Sequence, residues 1–258
     1  MLSLENLGKI DAQGHHALLG LTLSIGDGEI VAVIGGDAFG KAALLRLLAG
    51  MDRPTRGTAT LAGRRIDGLT PEIGAVFPEA ALMPALDVVS NVELGLPGLP
   101  RAKRRALALE ALARVGLETV PHALPSQLPP AIARRVAMAR VMVAAPRVVL
   151  LDAPSAGHRG RSRVDLQNDL LRLWAWREPT MVVATDDVDE AAALADRVVV
   201  LLGGGGVSRV VGVDLPRPRD RADPAFIAVA EEILDELRYA LAVRAPANDA
   251  LDSARHAG

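Results

Sequence analysis

The chain has 258 residues, of which 50% are hydrophobic and only 2% aromatic, so Val, Leu, Ile and Ala must fill its core. A net charge of −2, from 29 basic and 31 acidic residues, excludes a chain built to coat nucleic acid. With no cysteine there is neither a disulfide framework nor a thiolate metal site.

The start, Met1-Leu2-Ser3-Leu4-Glu5-Asn6, lacks the basic-then-apolar pattern of a signal peptide. Apolar runs break well before the roughly 18 residues that a membrane span needs. The chain is therefore expected to be cytoplasmic. Leu21-Thr22-Leu23-Ser24-Ile25 alternates like a half-exposed strand, and Gly26-Asp27-Gly28 turns the chain. Ile30 to Ile34 is an unbroken apolar strand leading into Gly35-Gly36-Asp37-Ala38-Phe39-Gly40-Lys41-Ala42-Ala43. This run keeps the phosphate-loop spacing G-x-x-x-x-G-K between a strand and a helix. Ala42 stands where the motif places the Ser or Thr hydroxyl that coordinates Mg²⁺, and a methyl cannot ligate a hard cation.

Lys41 to Ala49 reads as a helix stopped by Gly50. Gly57 to Ile66 reads as a hairpin turning near Ala62-Gly63, and Ile73 to Phe77 as a short buried strand. From about Pro78 to Arg140 there is helical periodicity and proline but no convincing strand. Within that stretch, Ala102 to Val115 forms a helix with a basic start at Arg101, Lys103, Arg104 and Arg105. That start has two readings, a solvated helix face or a phospholipid contact.

Strands then return. Val148 to Leu151 ends at Asp152, Met181 to Ala184 ends at Thr185-Asp186, and Arg197 to Leu202 precedes four glycines. Helices Arg161 to Arg177 and Val188 to Ala195 lie between them, which predicts a mainly parallel sheet covered on both faces. Asp223-Pro224 is an N-cap followed by proline at the first helical position, and Phe226, Ala230, Ile233 and Leu237 recur at helical spacing. His15, His16, His122, His158 and His256 show no metal-ligand spacing, and Trp174 and Trp176 cannot share a helix face.

A phosphate loop near residue 35, an all-helical insertion and a four-residue apolar strand ending in Asp152 resemble the ATP-binding subunits of ABC transporters. Leu44 to Gly50, Val76-Phe77, Asn91-Val92, Arg135 to Arg140 and Asp189-Glu190-Ala191 are similarly placed. Leu215-Pro216-Arg217-Pro218-Arg219-Asp220-Arg221 looks like the nitrate/sulfonate/taurine importer branch. The resemblance implies an α/β fold: a RecA-like P-loop NTPase core with an antiparallel β subdomain and an inserted helical subdomain. It places the core at residues 1–77 and 141–222, the helical subdomain at 78–140, and a C-terminal helix and tail at 223–258.

Against the family's pattern the motifs depart in turn. The ring that stacks on adenine is missing from Gly8-Lys9-Ile10-Asp11. Pro78 stands for the glutamine that reaches Mg²⁺ and the attacking water, Ala153 for the catalytic glutamate, and Asp186 for the histidine that senses the γ-phosphate. The signature segment reads Leu128-Pro129-Pro130-Ala131-Ile132, where Pro129 supplies no hydroxyl and neither proline supplies an N–H. The loop after Asp152 reads His158-Arg159 in place of Leu-Asp. Lys41, Asp152 and the loop amides remain. They carry either a weak, magnesium-independent ATP site or only the strand–turn–helix geometry, and Asp152 reads equally as a satisfied strand-end carboxylate or a metal ligand.

The expected function is a degenerate ATP-binding importer subunit, deficient in hydrolysis, with a structural or regulatory role. Its partners would be an ABC permease subunit, an intact paralogue, or a second copy in a homodimer, with no nucleic acid. It would sit peripherally at the inner face of the membrane through the permease, with Glu79 to Leu86 as a docking stretch. Two alternatives stand beside it: an active importer ATPase, and a non-transport regulatory binding module.

Overall fold

The computed structural model describes residues 1–11, 13–36, 40–77 and 81–243. They divide into two compact units. The first takes in Met1–Gly26, Ile30–Leu69 and the chain from Ala184 onward; the second takes in Asp27–Glu29 and Thr70–Val183.

The first unit opens with β1 (Leu2–Ile10) and β2 (His16–Ile25), followed by β3 (Ile30–Ile34), α1 (Lys41–Leu48), β4 (Arg56–Leu61) and β5 (Arg64–Arg65). An antiparallel sheet runs in the order β2-β1-β4-β5. Its register sets Leu2 against Ile25 and Leu61, and Leu4 against Leu23 and Ala59, and these six apolar side chains are all buried. The alternating strand expected at Leu21 to Ile25 is longer than the alternation suggests and begins at His16.

All five residues of β3 are buried, as a parallel strand covered on both faces requires. It runs parallel to β9 (Arg197–Leu201), and β10 (Val207–Gly212) adds antiparallel outside, giving the order β10-β9-β3. The chain reaches them through α6 (Val188–Leu194), which packs on β3. The final helix, α7 (Pro224–Ala242), starts at the expected Asp223-Pro224 cap and packs on β9, β10 and α6. Phe226, Ile233 and Leu237 are buried as expected, while Ala230 is half-buried.

The segment Leu215 to Arg221 is a clasp on α6. Arg219 donates to the carbonyls of Ala192 (2.7 Å), Ala195 (2.6 Å), Val213 (3.0 Å) and Leu215 (3.1 Å). Arg217 reaches Leu194 O at 2.6 Å and Asp196 at 2.8 Å, and Arg221 reaches Asp189 at 2.9 Å. Several of these carbonyls belong to the last turn of α6, which has no intrahelical donor for them.

In the second unit lie β6 (Ile73–Val76), α2 (Val88–Glu93), α3 (Arg101–Arg114), α4 (Pro130–Val143), β7 (Val148–Asp152), α5 (Arg161–Arg177) and most of β8 (Thr180–Thr185). The strand order is β8-β7-β6, and β6 runs parallel to β7 from Ile73 opposite Val148 to Val76 opposite Leu151. The last two residues of β8, Ala184 and Thr185, belong to the first unit. Among the described residues, no strand interrupts the helices α2 to α4, as the periodicity predicts. These three pack on one another, and α4 packs on α5 and β6. Asp169 on α5, 1% exposed, pairs with Arg135 on α4 at 2.5 Å. The expectation of a buried strand at Ile73 needs correction: only Val76 is buried, because β6 ends the strand order and flanks an open groove. No helix among the described residues is long and apolar enough to cross a membrane.

Candidate nucleotide site

In the first unit the phosphate-loop run joins β3 to α1. Gly40 takes a left-handed φ of 85° at the N-cap of α1, and a Cβ there would stand 1.9 Å from the carbonyl oxygen of Ala17. Gly205 presses on the same carbonyl, with a built Cβ at 2.4 Å. Only glycine fits either position. Lys41 turns its ammonium onto the loop, donating to Gly35 O and, at 3.1 Å, to Gly36 O. Among the described residues no side chain caps α1, and its first turn carries no acid, so the helix start keeps its positive end for an anion. This arrangement fits a phosphate group. Lys41 and the first-turn amides would hold it. Asp37, Ala38 and Phe39 lie outside the described residues.

Downstream in the same unit, Thr185 ends β8 and is 2% exposed. Its hydroxyl donates to Glu190 Oε2 at 2.6 Å and accepts from the amide of Asp187 at 3.1 Å. Asp187 in turn caps α6, accepting from the Glu190 amide at 3.0 Å. Asp186 rides on this braced turn with its side chain exposed.

The second unit supplies Asp152, half-buried at the end of β7, followed by Ala153 with φ 42°. Arg134, on the helix that follows the signature-like segment, is 8% exposed and donates to Ala153 O and Pro154 O, each at 2.7 Å. The signature-like residues Leu128 to Ile132 straddle the start of α4: Pro129 is the N-cap and Pro130 the first helical residue, both exposed. The amides of Ile132 and Ala133 fold back onto Pro129 O at 3.0 Å each. Ala131 is the only other amide of that first turn.

Pro78, Glu79 and Ala80 lie outside the described residues. The rest of the expected docking stretch is shaped by Asn91, which is wholly buried. Its Oδ1 accepts from Met83 N at 2.7 Å, and its Nδ2 donates to Met83 O (3.1 Å), Leu86 O (2.9 Å) and Asp87 O (3.1 Å). Neither this role nor the Arg134 clamp is visible in the sequence.

The described histidines behave as surface groups; His256 lies outside the described residues. His15 pairs with Asp11 at 3.2 Å, His122 with Asp87 at 3.0 Å, and His158 with the carbonyl of Ala156 at 3.0 Å. Among the described residues, no three His, Cys, Asp or Glu side chains gather as a metal site. Trp174 packs inward, donating to Gly28 O at 3.0 Å, while Trp176 faces two arginines.

The sequence profile described as ABC transporter matches residues 18–156. An uncharacterized ABC transporter ATP-binding protein of Methanocaldococcus jannaschii is 39% identical over 243 residues, covering 92% of this chain and 91% of that protein. The aliphatic sulfonates import ATP-binding protein SsuB of Ralstonia nicotianae is 41% identical over 220 residues, covering 85% of this chain and 76% of its own. Among solved structures, the dimeric structure of MJ0796, a bacterial ABC transporter cassette, superposes with a TM-score of 0.74 at 28% identity, covering 84% of this chain and all of that one. With a phosphate loop between β3 and α1, parallel strands, an N-terminal antiparallel sheet and a helical insertion, the chain has the P-loop NTPase fold and belongs to the ABC transporter family, among its ATP-binding subunits.

Proposed function

We propose that this chain is the ATP-binding subunit of an ABC importer of the nitrate/sulfonate/taurine-like branch, and that it contributes structure or regulation at a permease or paralogue with little hydrolysis of its own. The observation that carries this reading is Ala153. It follows the β7 carboxylate Asp152 directly, at the position of the family's catalytic glutamate, and carries a methyl group. Losing a general base costs roughly 10²–10⁴ in rate. Ala42, Pro78 and Asp186 extend the same deficit to metal coordination and γ-phosphate contact. Pro129 and Pro130 extend it to the surface that closes on a partner's nucleotide.

ATP would be held by Lys41 and the α1 amides, weakly and with little dependence on Mg²⁺, since Ala42 offers no oxygen to a hard cation. Bound Mg-ATP supplies the phosphoryl chemistry in this family, and the residues here can orient its phosphates but offer no base to a water. Functionally, residues 1–77 with 141–222 would act as the core, 78–140 as the helical subdomain and 223–258 as the C-terminal extension. The permease would hold the chain at the inner membrane face through the stretch ending at Leu86. A paralogue or a second copy would complete the dimer, as in the dimeric cassette.

An active importer ATPase is the second reading. It is favoured by the intact Gly35, Gly40 and Lys41 set and by identities near 40% to proteins named for import or ATP binding. Calorimetric ATP titration with and without Mg²⁺, followed by turnover assays with the permease and the paralogue, decides between them. Weak, magnesium-indifferent binding without turnover is the expected result. Tight magnesium-dependent binding with turnover abolished by Lys41→Ala would overturn it.

A further inference from the structure

Between Glu93 and Glu110 the chain carries no acid, while Arg101, Lys103, Arg104 and Arg105 fall within five positions. The whole chain has a net charge of −2, so this positive stretch is a local feature. The cations open α3, at the positive end of its helix dipole and with no acid in its first turn. Helix stability therefore does not explain them. Among the described residues, Arg105 is answered by Glu93 at 3.2 Å. Arg101, Lys103 and Arg104 have no ion pair and no side-chain acceptor there, and Arg104 Nε is buried without one.

The Glu93–Arg105 pair also closes the base of the loop that joins α2 to α3. Gly95 roots this loop, since a Cβ there would stand 2.2 Å from the carbonyl oxygen of Arg140, and Leu96 is buried. The outer part of the loop is apolar and open. Leu94 is 48% exposed, Pro97, Gly98 and Pro100 are exposed, and a Cβ built on Gly98 meets nothing within 4 Å. Arg101 to Arg104 take up only about 4.5 Å of helix axis. Screening at physiological salt acts over about 8 Å. A charged surface facing this end of α3 therefore meets the three cations together, whichever side of the helix each one leaves.

We propose that the loop 94–100 and the first turn of α3 bind the surface of an anionic phospholipid bilayer. Arg101, Lys103 and Arg104 lie among the headgroup phosphates, and Leu94 and Pro97 reach the apolar boundary beneath them. Charge complementarity selects this occupant, because lipid phosphates supply the counter-charge that these cations lack within the described chain. Exposed apolar residues beside grouped cations are also the composition that settles at such an interface. The contact needs neither nucleotide nor permease, so it can fail separately from the importer reading.

The test sediments the full chain, without nucleotide, with vesicles of phosphatidylcholine that either contain or lack phosphatidylglycerol. The chain is expected to sediment with the phosphatidylglycerol vesicles alone, and less as salt is raised. Each cation at such a surface contributes about fivefold in partition, so reversing two, Arg101→Glu with Lys103→Glu, should lower it roughly 25-fold or more. Both side chains are exposed and acids suit the first turn of a helix, so the Tm should hold or rise. Loss of sedimentation then reports the contact rather than unfolding. An equal charge change on β5, Arg64→Glu with Arg65→Glu, should leave the partition within about twofold. Leu94→Gln should lower it severalfold with the same salt dependence. Equal sedimentation with both kinds of vesicle, or with neither, would overturn the proposal. So would a partition that survives the α3 reversals or falls as far with the β5 pair. Leu94→Gln without effect would overturn the placement of the loop.

Discussion

Arg134 Nη1 donates to the carbonyl of Ala153 at 2.7 Å, tying the helix that follows the signature-like segment to the residue beside Asp152. The same nitrogen reaches Pro154 O at 2.7 Å, so one buried guanidinium serves two consecutive carbonyls of a left-handed turn. Arg134→Ala would leave both carbonyls without this charged donor. The expected loss is about 2–4 kcal/mol of stability in the urea unfolding transition. A loss under about 0.5 kcal/mol would show that the clamp is dispensable.

If the chain is deficient in hydrolysis as proposed, restoring one group at a time should achieve little, because these groups act together. Ala153→Glu alone is expected to leave turnover at background. The combination Ala42→Ser, Pro78→Gln, Ala153→Glu and Asp186→His should raise it by roughly 10²-fold or more above background. Phosphate release measured with purified variants checks this, and Lys41→Ala in the repaired chain provides the contaminant control.

On the proposed reading, Asp186 would add repulsion to a bound nucleotide rather than merely omit a donor. At roughly 5 Å from a phosphate oxygen, a unit negative charge costs about 3 kcal/mol at an effective dielectric near 20. Asp186→Asn should therefore tighten ATP binding, and the gain should shrink as salt is raised. Calorimetry at low and high ionic strength reads both effects. An unchanged affinity at low salt would place Asp186 away from the phosphates.

Asp87 gives the start of α2 a pH-sensitive cap. Burial raises its carboxyl, but hydrogen bonds from Ser90 and His122 outweigh that and hold it below its ordinary 3.8. A carboxylate with a depressed folded pKa contributes stability that is present above its unfolded pKa and is lost as pH falls through the folded value. Asp87→Asn should keep the helix cap while flattening the acid limb of the stability curve below pH 4. Asp87→Ala should cost about 1 kcal/mol at neutral pH through the lost cap. Thermal melts from pH 3 to 7 compare the three proteins.

The clasp on α6 should be sensitive to charge. Arg219→Met keeps length but leaves the carbonyls of Ala192, Ala195, Val213 and Leu215 without their charged donor. A loss of about 3 kcal/mol in chemical denaturation is expected. Arg221→Ala, whose partner Asp189 is partly exposed, should cost under about 1 kcal/mol.

Elements whose physics is local were legible in the sequence. The apolar run of β3 with its glycine loop, the helix Arg161–Arg177 and the Asp223-Pro224 cap stand where their residues put them. β10 went unread, because Val207-Ser208-Arg209-Val210-Val211 follows four glycines and makes a strand only by pairing with β9. β6 carries an apolar string that suits burial, yet its place at the end of the strand order leaves it half-covered. Near the loop, spacing alone puts Gly40 and Lys41 at the start of a helix, where the structure has them. The bonds made by Arg134 and Asn91 depend on segments far away in the chain, and no spacing announces them.

The Ala17 carbonyl, hemmed in by Gly40 and Gly205, separates two properties of the phosphate loop. Any side chain at either glycine would collide with backbone, so the outline of the loop is enforced by folding itself. Ala42, by contrast, is exposed on the first turn of α1. The glycines that set the outline of the family and the positions that would face a nucleotide are therefore different residues, answerable to different pressures.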